Sequence, residues 1–120
     1  MDNERRQELK RAYKEVVTYL GVIKLTNTHN NKVFVGSFTN LKNKESYLRE
    51  QLAWGRHPNA ALQQDWKAFG SDAFVYEVLE QKDASKVTGP KWEAKQMEAH
   101  YLELLQPYGD AGYHKAPAQG

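Results

Sequence analysis

The chain has no cysteine among its 120 residues, which excludes disulfides, thiolate zinc sites and a cysteine nucleophile. It also lacks any run of about 18 apolar residues that could cross a membrane, and its N-terminus lacks the apolar stretch of a signal peptide. Together these absences predict a cytoplasmic protein without membrane contacts. The length predicts one domain with one core, because domains commonly contain about 100 to 150 residues.

A large excess of charge of either sign is missing too. The net charge is +2 and the isoelectric point is near 8.8, which allows contact with nucleic acid without requiring it. The most basic stretch is N-terminal, where helical spacing of apolar residues from Leu9 to Leu20 predicts an amphipathic helix over residues 1–20 that packs on the domain. Its other face is either solvated or a phosphate-binding surface, and it carries the basic side chains Arg5, Arg6, Lys10 and Arg11.

What the chain does have is a clear hairpin pattern. Two short apolar segments, 22–25 and 33–35, flank an Asn-rich turn from Thr28 to Asn31. The second segment is rich in strand-forming residues, and a glycine lies at the outer end of each segment. This pattern predicts a β-hairpin.

The rest of the chain alternates helices with one further strand. The patterns predict a helix over 41–54 capped by Asn40, a helix over 59–69, a strand over 74–79, a polar loop over 81–90, a helix over 92–105 and a frayed tail over 115–120. Trp54 and Trp66 are predicted to lie in the core. These elements predict an α+β domain over residues 21–114, with a small three-stranded antiparallel sheet flanked by helices.

Glu98 is the strongest candidate site residue on physical grounds. Helical spacing places its carboxylate at the edge of the apolar stripe of the last helix, and a buried carboxylate needs a cation, a metal, hydrogen-bond donors or a proton. Lys44 shares a helix face with Leu41 and Leu48 and is predicted to point toward the sheet. Either the two form an ion pair at the margin of the core, or they face a phosphate group.

The hairpin and a later block of residues resemble the GIY-YIG nuclease superfamily, in the branch related to homing endonucleases. Gly21-Val22-Ile23 stands where the family has Gly-Ile-Tyr, and Phe34-Val35-Gly36 stands where it has Tyr-Ile-Gly. The later block consists of 55–59, 62–66, 69–70, Phe74 and 79–80. The resemblance covers roughly residues 21–114.

The resemblance implies hydrolysis of a nucleic-acid phosphodiester. In the family, a signature tyrosine helps to activate water, an arginine stabilises the developing charge and a glutamate holds one divalent metal, Mg²⁺ or Mn²⁺. Glu98 matches the glutamate and is therefore implied as the metal ligand. The two signature tyrosines fall on Ile23 and Phe34, which have no group that can take or give a proton.

Three further site positions also differ from the family. The arginine falls on Lys44, which keeps the positive charge but loses the planar fork that binds phosphate oxygens bidentately. A histidine falls on Leu48, and an asparagine near the end of the family's domain falls on His114. The catalytic candidates that remain are Glu98 and Lys44.

The sequence therefore predicts a nuclease-like domain with a degraded active site that binds nucleic acid, most simply DNA, as a regulatory or accessory module. Degenerate bacterial domains of this kind are sometimes labelled LuxR-type or ArsR-type regulators. One alternative is an active, divalent-metal-dependent DNA endonuclease, and a second is a protein-interaction domain on the same scaffold. Outside the N-terminal stretch, the candidate nucleic-acid-binding residues are Arg49, Arg56, His57 and Lys67.

Overall fold

A computed structural model describes residues 17–117, which form a three-stranded antiparallel sheet with helices on both faces. The elements follow in the order β1 (Tyr19–Asn27), β2 (Val33–Phe38), α1 (Lys44–Ala53), α2 (Ala60–Phe69), β3 (Phe74–Asp83) and α3 (Pro90–Leu105). Strand β1 is central and pairs with β2 on one side and β3 on the other. The predicted fold class is confirmed.

The sheet separates two apolar layers because side chains alternate across it. Helix α3 covers one face through Ala94 and Met97, which pack against Leu20, Val22 and Val35. The other face carries α1 and α2, and its core is formed by Leu25, Leu52, Leu62, Trp66, Ala73, Phe74 and Tyr113. Strand β2 is an edge strand of the sheet, and residues of both apolar layers lie next to it.

The hairpin is confirmed, and β1 is longer than predicted at its beginning. Residues 1–16 of the predicted N-terminal helix lie outside the described residues. Tyr19 and Leu20, however, belong to β1, so the helix prediction is wrong at its C-terminal end. Leu20 is buried under α3, and a strand buries this apolar side chain as well as a helix would.

Helix α1 begins three residues later than predicted. Asn40 does not cap it. The Asn40 carboxamide oxygen accepts a hydrogen bond from the Lys42 backbone N–H at 3.0 Å and so forms a turn ahead of the helix. Asn59 does cap α2, since its Oδ1 accepts from the Leu62 N–H at 3.0 Å.

Two other predictions need correction. Gln81–Asp83, predicted as loop, continue β3 because they pair with Tyr19, Leu20 and Gly21 of the central strand. Trp54, predicted as core, is 73% exposed, whereas Trp66 is buried as expected. Residues 115–117 have no regular secondary structure, and the rest of the predicted tail lies outside the described residues. In the part of the chain from 17 to 117, no helix has the length and apolarity needed to span a bilayer.

Candidate active site

A cleft of about 500 Å³ runs along the edge strand β2, between α1, α3 and the segment that ends at His114. Four of the predicted site positions line it, namely Phe34, Leu48, Glu98 and His114. The sheet brings them together because β2 supplies Phe34, while α1 and α3 approach β2 from opposite faces. Residues 64 positions apart in the sequence, Phe34 and Glu98, therefore share one cleft.

Glu98 is held in this cleft by β2 and by its own helix. The Ser37 hydroxyl donates to Glu98 Oε1 at 3.1 Å, and Lys95 Nζ lies 3.7 Å from Oε2. The Glu98 side chain is only 22% exposed, so both contacts offset part of the cost of removing its charge from water. The carboxylate thus lines the cleft in a fixed position and stays partly exposed.

Lys44 does not pair with Glu98. Its Nζ lies 5.5 Å from the centroid of the Phe38 ring and 5.6 Å from that of Tyr47, at the start of α1. The predicted Lys44–Glu98 ion pair is therefore wrong, because Lys95, one helical turn before Glu98, occupies that role. Lys44 contributes positive charge at the rim of the cleft rather than on its floor.

His114 is fixed by the main chain of β2. The Val35 N–H donates to His114 Nε2 at 2.9 Å, so the neutral ring carries its proton on Nδ1. The ring also stacks on Phe34, with centroids 5.2 Å apart and planes inclined by 12°. Burial lowers the pKa of His114 below its usual value, and the charge of Glu98 reverses only part of that shift.

His57 approaches the same phenylalanine from the loop before α2. The Asn59 N–H donates to His57 Nδ1 at 3.0 Å, which leaves the neutral ring with its proton on Nε2. The ring meets Phe34 edge-on at 5.1 Å, and burial lowers the pKa of His57. Each of the two imidazoles therefore accepts a main-chain hydrogen bond on one nitrogen and has a donor on the other.

The segment that carries His114 is anchored by buried polar groups. The Asn27 side-chain amide donates to Tyr113 Oη at 3.1 Å, and that hydroxyl donates to Asp65 Oδ2 at 2.8 Å. Burial, together with Asp65, raises the pKa of Tyr113 to about 12, so the phenol stays protonated as a donor. The Tyr113 N–H also bonds to the Val33 carbonyl at 3.0 Å, which seats the segment against the outer edge of β2.

The remaining altered positions are apolar. Ile23 is 0% exposed and lies beneath the cleft opposite Gly36 of β2, and Leu48 is buried on the α1 wall. Neither can transfer a proton. Phe34 lines the cleft between the two imidazole rings and likewise has no group that can transfer a proton.

Ser37 is a polar residue of the cleft that the sequence patterns did not identify, and Tyr47 is one that they placed just off the site face. Ser37 lies two residues after Val35, so strand alternation points both toward α3 and Glu98, and this spacing is the signal that identifies it. Tyr47 lines the cleft and is 49% exposed. At helical spacing Tyr47 could substitute in part for a missing site residue but points about one residue away from the inferred site face, yet both Tyr47 and Leu48 line the cleft.

The predicted nucleic-acid-binding side chains are not all near the cleft. Arg49 donates to the carbonyls of Ser71 at 3.2 Å and Phe74 at 2.9 Å and pairs with Glu45, so it ties α1 to the start of β3. Its donors are already used inside the fold, which argues against its predicted role. Arg56 is exposed after α1, and Lys67 is exposed at the end of α2. Arg5, Arg6, Lys10 and Arg11 lie outside the described residues.

The cleft supplies one carboxylate for a metal. Among residues 17–117 no group of three or more His, Asp or Glu side chains is arranged to hold an ion. Mg²⁺ is commonly held by one or two carboxylates together with substrate phosphates and water. Glu98 fits that pattern as a single hard ligand, and a substrate phosphate and water would have to supply the other ligands.

No protein-family model matches the chain, and no curated protein matches it in sequence. Two solved structures do match. A single-substitution mutant of the catalytic domain of the intron endonuclease I-TevI is 25% identical with a TM-score of 0.67, over 84% of this chain and 97% of that one. The catalytic domain of the homing endonuclease I-TevI is 26% identical with a TM-score of 0.66, over 82% of this chain and 99% of that one. Together with the hairpin and the cleft at its edge, these matches show that the chain belongs to the GIY-YIG nuclease superfamily.

Proposed function

We propose that this domain binds DNA in the β2 cleft and has lost efficient phosphodiester hydrolysis, so that it acts as a regulatory or accessory module. The observation that carries the proposal is the chemistry of the two signature positions. Ile23 is sealed beneath the cleft and Phe34 lines it, so neither supplies the proton-transfer group that the family's mechanism uses. General acid–base catalysis typically contributes about 10²- to 10⁴-fold in rate, and its loss alone would make turnover slow.

The two histidines do not replace the missing base. For either ring to accept a proton, the nitrogen that now accepts a main-chain N–H, from Val35 or from Asn59, would have to give up that bond. Burial further opposes the charged form, as the lowered pKa of each ring indicates. As neutral donors, however, both rings suit hydrogen bonds to phosphate oxygens.

Positive charge around the cleft supports DNA as the ligand. Lys44 lies at one rim, and Arg56 lies beyond Tyr47 in an adjoining depression. At the other end, past Asn59 and His114, the cleft adjoins a depression of about 860 Å³ bordered by Lys32 and Lys115. A phosphate backbone laid along this path would meet cations on both sides of Glu98.

One observation favours the alternative of an active, divalent-metal-dependent endonuclease. Tyr47 places a phenol in the same cleft as Glu98, and a tyrosine is the residue type that the family uses beside its metal. With Mg²⁺ or Mn²⁺ bound, Glu98 and the substrate phosphate would share the ion, which would polarise the phosphodiester. Lys44 would then stabilise the charge that develops on the phosphate.

The test is nicking of supercoiled plasmid with Mg²⁺ or Mn²⁺, combined with a binding assay on the same DNA. The proteins compared are the wild type, Glu98→Ala and Glu103→Ala, the last removing an exposed carboxylate of the same helix as a matched control. We expect binding that weakens with salt and no nicking by any of the three. Metal-dependent nicking lost in Glu98→Ala but kept in Glu103→Ala would overturn the proposal in favour of the enzyme.

A further inference from the structure

An exposed aromatic surface adjoins the cleft at the end of α1. Tyr47 is 49% exposed and Trp54 is 73% exposed, and with Glu50, Gln51 and Arg56 they line a groove of about 340 Å³. Tyr47 and Gln51 also line the cleft, so the groove and the cleft are continuous. We refer to Tyr47, Trp54 and Arg56 as the aromatic surface.

Each exposed ring of this surface has a cation close to it. Lys44 Nζ lies 5.6 Å from the centroid of Tyr47, and the Arg56 guanidinium carbon lies 5.9 Å from that of Trp54. These distances are within the range of cation–π contacts. The two aromatic residues are seven positions apart, which on a helix places them on one side and about 10 Å apart along the axis.

This arrangement matches the chemistry of a nucleic-acid strand with exposed bases. Such a strand alternates flat aromatic bases with phosphates, and the surface alternates flat rings with cations. Glu50 and Gln51 between the rings offer hydrogen-bond acceptors and a donor to the edge of a base. In paired duplex DNA the base faces are hidden by stacking, so the rings would find nothing to stack on.

We infer that the aromatic surface binds an unstacked base of single-stranded or locally opened DNA whose backbone lies in the neighbouring cleft. This inference rests on the proposed function, because the cleft must bind DNA for the base to reach Trp54. It adds a substrate class to that function, namely DNA with exposed bases in preference to perfect duplex.

The test compares binding of a labelled oligothymidine and a duplex of equal length by fluorescence anisotropy. The variants are Trp54→Ala and, as a matched control, Trp92→Ala, which removes another exposed tryptophan (66% exposed) at the start of α3, away from the cleft. We expect Trp54→Ala to weaken oligothymidine binding about 5- to 100-fold, the range typical of losing one stacked base, while duplex binding is unchanged. Trp92→Ala should bind both DNAs as the wild type does.

A second readout reports the stacking contact directly. In a Trp92→Phe background Trp54 is the one exposed tryptophan, since Trp66 is buried, and a stacked base should quench its emission as oligothymidine is added. Two outcomes would overturn the inference and leave the proposed function standing. In the first, the protein binds duplex DNA but Trp54→Ala does not weaken binding of the single strand. In the second, Trp54→Ala and Trp92→Ala weaken binding equally. Failure to bind any DNA would overturn both the inference and the proposed function.

Discussion

Ile23 and Phe34 stand at the two signature positions of the hairpin, but they differ in the space around them. Ile23 is fully buried between β2 and β3, facing Gly36 and Val78 in the register. Phe34 lines an open cleft. A tyrosine, which the family has at both positions, would therefore fit at position 34 but not at position 23.

We predict that Ile23→Tyr lowers the free energy of unfolding by about 1 to 3 kcal/mol, the usual cost of overpacking a core. Phe34→Tyr should change it by less than about 1 kcal/mol, because the added hydroxyl can point into the cleft. Urea unfolding of the two variants measures both values. Equal destabilisation by the two substitutions would contradict this account of the signature positions.

The neutral state of His114 makes stability depend on pH. Burial lowers its pKa in the folded state, so the folded protein binds this proton less readily than the unfolded chain does. The stability contribution is fully present above the unfolded value of about 6.5 and is lost as the pH falls through the lower folded value. His57 adds a shift in the same direction.

We therefore predict that unfolding free energy falls between pH 7.5 and pH 5, and that His114→Asn flattens part of this dependence. The asparagine side chain does not titrate in this range. His100→Asn is the matched control, since His100 is exposed on α3, and it should leave the pH profile unchanged. A steep profile that survives in His114→Asn and in His57→Asn would show that other groups cause it.

At the level of single residues, the sequence predicted the members of the cleft better than their contacts. Phe34, Leu48, Glu98 and His114 do meet, because the family resemblance placed them on elements whose topology brings them together. Of the two arrangements that the sequence left open for Lys44 and Glu98, the ion pair is not formed. Whether Lys44 on α1 reaches Glu98 on α3 depends on how both helices lie against β2, which helical spacing does not contain.

Among the elements, the short segment after α3 completes the cleft. Gly112 lies so close to Pro107 that a Cβ atom there would overlap the proline ring and backbone. The next two residues, Tyr113 and His114, make the hydrogen bonds to β2. The close approach of Gly112 to Pro107 therefore fixes the course of the backbone that places His114 against Phe34.

We predict that Gly112→Ala destabilises the domain by about 1 to 3 kcal/mol and disturbs the His114 environment. Gly89→Ala is the matched control, because a Cβ there meets nothing nearer than the Trp92 Cβ at an ordinary 3.7 Å. Thermal unfolding and the NMR shifts of the His114 ring would report both effects. Wild-type behaviour of Gly112→Ala would mean that the segment can move away from Pro107 without cost.

Element types were predictable from the sequence and element ends were less so. The hairpin, the three described helices and β3 all follow from apolar periodicity. The last three residues of β3 did not, because Gln81–Asp83 are polar and become strand only by pairing with β1. Trp54 was assigned to the core by its size, but it follows the end of α1, where the helix has no facing layer.

For the molecule as a whole, a net charge of +2 makes DNA binding depend on where the charges lie. We predict that replacing Arg5, Arg6, Lys10 and Arg11 with glutamine lowers the salt dependence of DNA affinity. Each lost phosphate contact should reduce the slope of log affinity against log salt by about 0.9. The measurement is a set of binding curves at several salt concentrations.

A control variant that loses positive charge elsewhere distinguishes the effect of lost phosphate contacts from the effect of a lower net charge. Lys86→Gln with Lys91→Gln removes two exposed lysines that line neither the cleft nor its neighbouring depressions. That double variant should keep the wild-type slope. If the four N-terminal substitutions also keep it, the basic stretch is a solvated face and the DNA contacts lie within the domain.

The attachment of the Gly112–His114 segment to β2 also has a consequence for biosynthesis. The ribosome synthesises the sheet and all three described helices before His114, so a nascent chain can form most of its core, except for Tyr113, while the cleft still lacks one wall. Until Tyr113 and His114 emerge, the outer edge of β2 has neither the Val33 nor the Val35 hydrogen bond and Phe34 lacks its stacked ring. The cleft is therefore completed late during translation, and a message truncated after Leu105 would yield a sheet with its helices but without a finished cleft.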